Sequence, residues 1–314
     1  MDDPTTGSVA DAVPTTATPA HSHAKSGPAS AEPGRRTAIN GNTLVVPHIG
    51  YPTGSFRAPM IYNPWFEKHG IDAVVVPLAV TAEDFPPVVE GLRRMRNVRG
   101  ALITMPHKVA VVGFLDEAST AVKIAGSCNA ILRRDDGTLA GDMFDGTGFT
   151  RGLARHGVRL RGARCLVVGA GGVGSAIAAS LAAEGVAAMV LNDSNAAVAE
   201  ALAGRVRSHY PALDVRVGGN DPSGYGLVVN ATPLGMRASD PLPFDAERLA
   251  PSTFVGEVVM KQEITPLLEA ARRRGCGYQV GTDMLFEMIP AYLEFFGFGL
   301  ATPDELRAIA RIVY

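Results

Sequence analysis

Two short stretches of this chain carry residue types that chemistry could use. The first is ITMPHK, residues 103–108. Ile103, Thr104 and Met105 read as the end of a strand, Pro106 reads as the start of a helix, and Lys108 then falls in that helix's first turn. Unpaired N–H groups and the positive end of the helix dipole disfavour an ammonium there by a few tenths to about 1 kcal/mol. The same setting, with partial burial, pulls a lysine down from its ordinary pKa of about 10.4 towards the range useful for proton transfer. On spacing alone two readings stand side by side: a solvated surface lysine, or an acid–base group.

The second stretch is RCLVVGAGGVGSAIAASLAAEGVAAMVLNDS, residues 164–194. Gly169, Ala170, Gly171, Gly172, Val173 and Gly174 form a G-x-G-x-x-G pattern between an apolar strand and a helix of small residues closed by Gly185. Asp193 follows near the expected ~20 residues further on. Gly169 allows the turn, Gly171 lets the backbone approach a pyrophosphate, and Gly174 allows close packing of helix on strand. A carboxylate at Asp193 accepts hydrogen bonds from ribose hydroxyls and repels a 2′-phosphate, and no arginine follows in NDSNAAVAEAL. The expected cofactor is therefore NAD rather than NADP.

The elements that must position these groups alternate strand and helix. TLVVPHIG (43–50), AVVVPLAV (73–80) and GALIT (100–104) read as strands, while NPWFEKHG (63–70) and DFPPVVEGLRRMRN (84–97) read as helices. That order predicts a parallel, doubly wound sheet in a first domain. A helix over 147–162 leads to the second alternating series. His107 is expected to point away from the face of its neighbour Lys108, with no chemical role.

Composition excludes several classes. The 314 residues carry a net charge of −2, which gives no footprint for nucleic acid or an anionic membrane surface. No apolar run reaches the ~18 residues of a membrane span. Cys128, Cys165 and Cys276 are scattered and outside metal-ligand spacing, so they read as idle thiols in a reducing compartment. Residues 1–38 are mostly Ala, Thr, Ser, Pro, Gly and charge, and read as a disordered tail without an apolar signal region. His21 and His23 in it are taken as solvated. A cytoplasmic location is the expectation.

With both halves read, the chain resembles the shikimate/quinate dehydrogenase family from about Ile49 to Phe296. The blocks are IGYP (49–52), T-x-P-x-K (104–108), GSCNAI (126–131), GDMFDGTGF (141–149), GAGGVG (169–174), NATPLGM (230–236), TPLLEAA (265–271) and GTDML (281–285). The resemblance implies an N-terminal α/β substrate-binding domain, a C-terminal Rossmann-fold domain with a cleft between them, and a final helix returning to the first domain. The corresponding boundaries are 39–147, 148–283 and 284–314. It implies hydride transfer between NAD(P) and a ring carbon bearing a hydroxyl, with Lys108 and Asp145 as the acid–base pair and no metal. Thr104 and Asn129 match residues that bond substrate hydroxyls; Asn230, Thr232 and Gly281 match positions on the cofactor side.

Departures from the family pattern lie on the substrate side. The two serines that hold the substrate carboxylate are Phe56 and Ala58 here, with Arg57 between them as a candidate replacement anchor. The usual tyrosine and glutamine are Met260 and Met288, and the Asn-Thr before the aspartate is Met143–Phe144. The expected substrate is a small cyclic hydroxy acid related to shikimate or quinate but less hydroxylated, and the expected assembly is a monomer or homodimer. Two other readings keep the architecture. A folate-linked methylene dehydrogenase is disfavoured by the Asp145 block and GTDML, and a non-catalytic ligand sensor has no use for a lysine–aspartate pair.

Overall fold

The computed structural model describes residues 38–237 and 239–312. The expected tail lies, Ala38 apart, outside the described residues.

Two six-stranded sheets follow one another along the chain. The first holds β1 (Leu44–Gly50), β2 (Ala73–Ala79), β3 (Gly100–Ile103), β4 (Glu117–Ala118), β5 (Ala130–Arg133) and β6 (Leu139–Asp142), in the order β2-β1-β3-β5-β6-β4. β1 lies parallel to β2 and β3, as the alternating pattern predicts. The sheet is nevertheless mixed, because β5 runs antiparallel to both β3 and β6. The reason is local: β5 and β6 are joined by the tight turn Asp135–Thr138, whose length permits only a hairpin and no crossover. Helices α1 (Ala58–His69), α2 (Phe85–Arg94) and α3 (Thr120–Ala125) complete this half. α1 starts at Ala58, earlier than the stretch 63–70 suggests, with Pro59 in its first turn, and it stops at Gly70 in the left-handed region.

α4 (Asp145–Arg155) leads into the second sheet, in which β7 (Arg164–Val168), β8 (Ala188–Asn192), β9 (Asp214–Val217), β10 (Leu227–Asn230), β11 (Phe254–Glu257) and β12 (Gly277–Gln279) are all parallel, ordered β12-β11-β10-β7-β8-β9. That is a doubly wound sheet whose order reverses beside β7, where ligands bind outside the strands' carboxyl ends. α5 (Gly172–Ala183), α6 (Ala196–His209) and α7 (Pro266–Arg273) cover it. α8 (Gly281–Phe296) then returns to the first half: its Ile289, Tyr292, Leu293 and Phe296 pack with Val46, Ile61, Tyr62 and Trp65 in one buried cluster. α9 (Pro303–Ile309) follows it. Burying four large side chains of one helix contributes on the order of 1.5–3 kcal/mol each, which ties the end of the chain to its beginning. Among the described residues, no helix is long and apolar enough to cross a membrane.

Candidate active site

The backbone builds the cofactor side of the site. Gly169 closes the turn after β7 at φ 105°, in the left-handed region, and a Cβ on Gly174 would stand 1.9 Å from the Gly169 carbonyl oxygen. Gly171, the residue that caps α5, faces open space instead: a Cβ there would meet nothing within 4 Å. Close packing behind the turn and free space in front of it make a cradle for a phosphate group at a helix N-terminus. Asp193, just past β8, accepts from the Ala170 N–H with Oδ2 (2.8 Å) and from the Asn195 N–H with Oδ1 (2.9 Å). Burial alone would raise the Asp193 carboxyl; these two N–H groups and the Ser194 hydroxyl outweigh it and hold the group below the usual carboxylate range.

Asn230 and Thr232 form a loop scaffold at the end of β10. The fully buried Asn230 amide donates to Glu257 Oε1 and to the Leu234 carbonyl (both 3.0 Å), while its oxygen accepts from the Thr232 hydroxyl (2.6 Å). Burial pushes the Glu257 carboxyl up, against hydrogen bonds from the Val259 N–H, Thr265, Asn230 and the Val258 N–H. Gly281 opens α8 against the backbone of Val258 and Val259.

Between the halves lies a cavity of about 440 Å³, to which Val173 of the glycine turn and Lys108 and Asp145 of the first half all contribute. Lys108 Nζ stands 2.7 Å from Asp145 Oδ2, with the lysine side chain 25% exposed and the aspartate 6%. Asn129 holds the other carboxylate oxygen: its Nδ2 donates to Asp145 Oδ1 at 2.8 Å, and its Oδ1 accepts the Phe144 N–H at 2.9 Å. Asn129 is thus buried beside Asp145, with its amide also 4.0 Å from the Sδ of Met288, which lines the cavity. Thr104 and Arg57 line it too.

The placement of Lys108 corrects the helical expectation. Residues 104–107 form a turn, closed by the His107 N–H on the Thr104 carbonyl (2.9 Å), and the short 3₁₀ helix that follows begins only at Ala110. The Lys108 carbonyl accepts the Cys128 N–H at 2.7 Å, so it is bound to a distant segment rather than to a helical turn. Lys108 therefore does not lie in the first turn of a helix. Asp145 is the residue in the first turn of a helix, α4, where an acidic side chain suits the positive end. His107 does turn away: it is buried, stacked on Phe85 at 4.1 Å, with Nε2 2.8 Å from the Val80 carbonyl.

The apolar replacements divide. Phe56, Ala58, Met260 and Met288 line the cavity. Met143 and Phe144 do not, which corrects the expectation that they replace substrate-binding side chains: Met143 is buried in the first-half core and Phe144 packs edge-on against Tyr292 and Phe295. Four polar lining residues escape the motif reading: His48, Ser55, Tyr62 and Tyr292. His48 had a visible signal, since it ends a strand face that begins Leu44, Val46. The tyrosines look like ordinary core aromatics in sequence.

A family model described as the shikimate dehydrogenase substrate binding domain matches residues 48–131. A shikimate dehydrogenase (NADP(+)) of Acidiphilium cryptum is 36% identical over 276 residues, 87% of this chain and 98% of that protein. One from Rubrobacter xylanophilus is 37% identical over 257 residues, 79% and 88% of the respective chains. Among solved structures, shikimate 5-dehydrogenase from Listeria monocytogenes in complex with shikimate and NAD superposes with a TM-score of 0.81 at 28% identity, over 86% of this chain and 97% of that one. Quinate dehydrogenase from Corynebacterium glutamicum in complex with NAD gives 0.77 at 27% identity, over 85% and 98%.

Proposed function

The chain belongs to the shikimate dehydrogenase family of oxidoreductases acting on CH–OH groups, and on that premise we propose that it interconverts a ring hydroxyl and ketone of a shikimate- or quinate-like cyclic hydroxy acid. The observation that carries the reading is the Lys108–Asp145 contact of 2.7 Å in the wall of a cavity shared with the glycine turn. When bound, the nicotinamide dinucleotide supplies the hydride acceptor or donor; the glycine turn from Gly169 to Gly174 and Asp193 would hold it, with the Asn230–Thr232 loop on the nicotinamide side. Lys108 and Asp145 manage the proton. In the reducing direction Lys108 Nζ donates to the oxygen that was the carbonyl, and Asp145 stabilises the charge that Lys108 carries before transfer. In the oxidising direction the hydroxyl proton passes back to the pair. Asn129 fixes Asp145 by binding its second oxygen, which leaves Oδ2 to face the lysine. Arg57 anchors the substrate carboxylate bidentately in place of the two missing serine hydroxyls.

NAD is our choice of dinucleotide. The names of the relatives point to NADP, whereas the Listeria and Corynebacterium structures hold NAD. Here the group at the end of β8 is a carboxylate held below its usual range, which repels a 2′-phosphate, and the next arginine, Arg205, donates to the Ile124 carbonyl. The test is reduction of NAD and of NADP followed by absorbance, against shikimate, quinate and less hydroxylated cyclic acids. Turnover with NAD, reduced about 10²–10⁴-fold in kcat by Lys108→Ala with NAD affinity unchanged, is the expected result. Lys108→Ala turning over like the wild type would overturn the proton-transfer assignment.

A further inference from the structure

We propose that His48 is a specificity-determining residue that hydrogen-bonds a ring hydroxyl of the substrate from the wall of the cavity. The inference deepens the dehydrogenase reading and rests on it. β1 alternates, so Leu44, Val46 and His48 share a face; Val46 is buried in the cluster formed with Ile61, Tyr62 and Trp65, and His48 ends the row at the carboxyl edge of the sheet. An imidazole at the end of an apolar row needs a polar reason, since burying an unpaired polar group costs about 1–3 kcal/mol.

Within the protein that reason is missing. Nδ1 is buried without a hydrogen-bond partner. The ring lies stacked on Phe56 at 4.1 Å between centroids and 24° between planes, which fixes its plane. With Nδ1 sealed in the protein, Nε2 is the nitrogen left for the cavity that the ring lines. The partner stacked on it, Phe56, stands where the family pattern has a hydroxyl. The imidazole stacked on Phe56 thus offers a polar atom beside a position that is apolar here.

The chemistry selects a hydroxyl over a carboxylate. Burial, and after it the charge of Lys108, lower His48 to about 4, so the imidazole is neutral at ordinary pH. A neutral imidazole has one donor and one acceptor nitrogen. A hydroxyl both donates and accepts and matches either tautomer, whereas a carboxylate matches only one and would draw a proton onto the ring.

The test compares the wild type with His48→Leu and His48→Gln by steady-state kinetics on shikimate, quinate and analogues lacking single ring hydroxyls. His48→Leu should raise the KM of the hydroxylated acid about tenfold, one net hydrogen bond, with kcat and the KM for NAD little changed. His48→Gln should restore most of it, and one deoxy analogue should fail to distinguish wild type from His48→Leu. An unchanged substrate KM in His48→Leu overturns the proposal, as does a parallel loss of NAD affinity, which would mark His48 as a packing residue. Either outcome leaves the dehydrogenase reading intact provided the wild type turns over. A wild type that turns over no cyclic hydroxy acid overturns both.

Discussion

Two turns at the carboxyl ends of parallel strands would carry the proposed chemistry, and different forces shape them. The turn after β7 is dictated by its own backbone: Gly169 at φ 105° and Gly174 packed against the Gly169 carbonyl leave almost no other residue possible. The turn after β3, Thr104–Lys108, is closed by the His107 N–H on the Thr104 carbonyl and is also tied to distant segments. Its Lys108 carbonyl is bound by Cys128, and its lysine is aimed by Asp145, which is 37 positions away in sequence. A shape enforced by the backbone asks for glycine at fixed positions, while one tied to remote partners depends on residues far away in sequence.

Breaking the first turn should therefore be the larger effect. Gly174→Ala places a methyl where 1.9 Å is available, against a backbone oxygen that has no rotamer to yield. Overpacking of this kind costs about 1–3 kcal/mol of stability, and the displaced turn should abolish NAD binding. Urea unfolding and NAD titration check both halves of the expectation. Wild-type NAD affinity in this variant would mean that the turn is more yielding than its packing implies.

The same contrast explains what could be read in advance. The second sheet, the glycine turn and the Asp193 position are legible, because apolar strand periodicity and glycine spacing are local signals. The return of α8 to the first half comes from the family resemblance. The antiparallel β5–β6 hairpin is not anticipated, and the helix expected from Pro106 is a turn instead. Proline placement does resemble a helix start, but nothing near Lys108 announces that Cys128 will take its carbonyl. Asn129 stands out by type, while its bond to Asp145 is a tertiary contact that no local pattern announces. Burial of Met143 and Phe144 cannot be told from cavity lining, since both environments select apolar side chains.

A pH dependence sharpens the contrast from the substrate side. His48 titrates near 6.5 when unfolded and about 4 in the fold, lowered by burial first and Lys108 second. Between those values the unfolded chain binds more protons, so stability falls as pH drops from about 6.5 towards 4. The full loss from this group is up to about 3 kcal/mol. His48→Leu should flatten that part of the curve; an identical slope in wild type and variant would show that the ring is solvated. At the cofactor turn, Asp193→Ser should raise the NADP/NAD ratio of kcat/KM by about tenfold, close to 1.4 kcal/mol. The serine removes the repelling charge, and the Ala170 N–H loses its acceptor, so some loss of NAD affinity should accompany the switch.

The smallest effect tests whether the apolar wall of the cavity senses how hydroxylated the substrate is. Met288 lines the cavity from α8, its Sδ 4.0 Å from Asn129 Nδ2, and its backbone is fixed where α8 packs closely against Gly148 of α4. Met288→Gln is close in volume but places an amide in an apolar wall, which costs about 1–3 kcal/mol of stability unless that amide is hydrogen-bonded. Its side-chain oxygen can accept from the second Asn129 N–H, leaving its own amide for the cavity. One added hydrogen bond, net about 0.5–1.5 kcal/mol, should lower the KM for a polyhydroxylated acid by about two- to tenfold and leave a less hydroxylated one unchanged. Kinetics on both acids decide it. If neither KM moves, the substrate does not reach α8, and the methionine wall is a packing surface whose apolar character says nothing about what is bound.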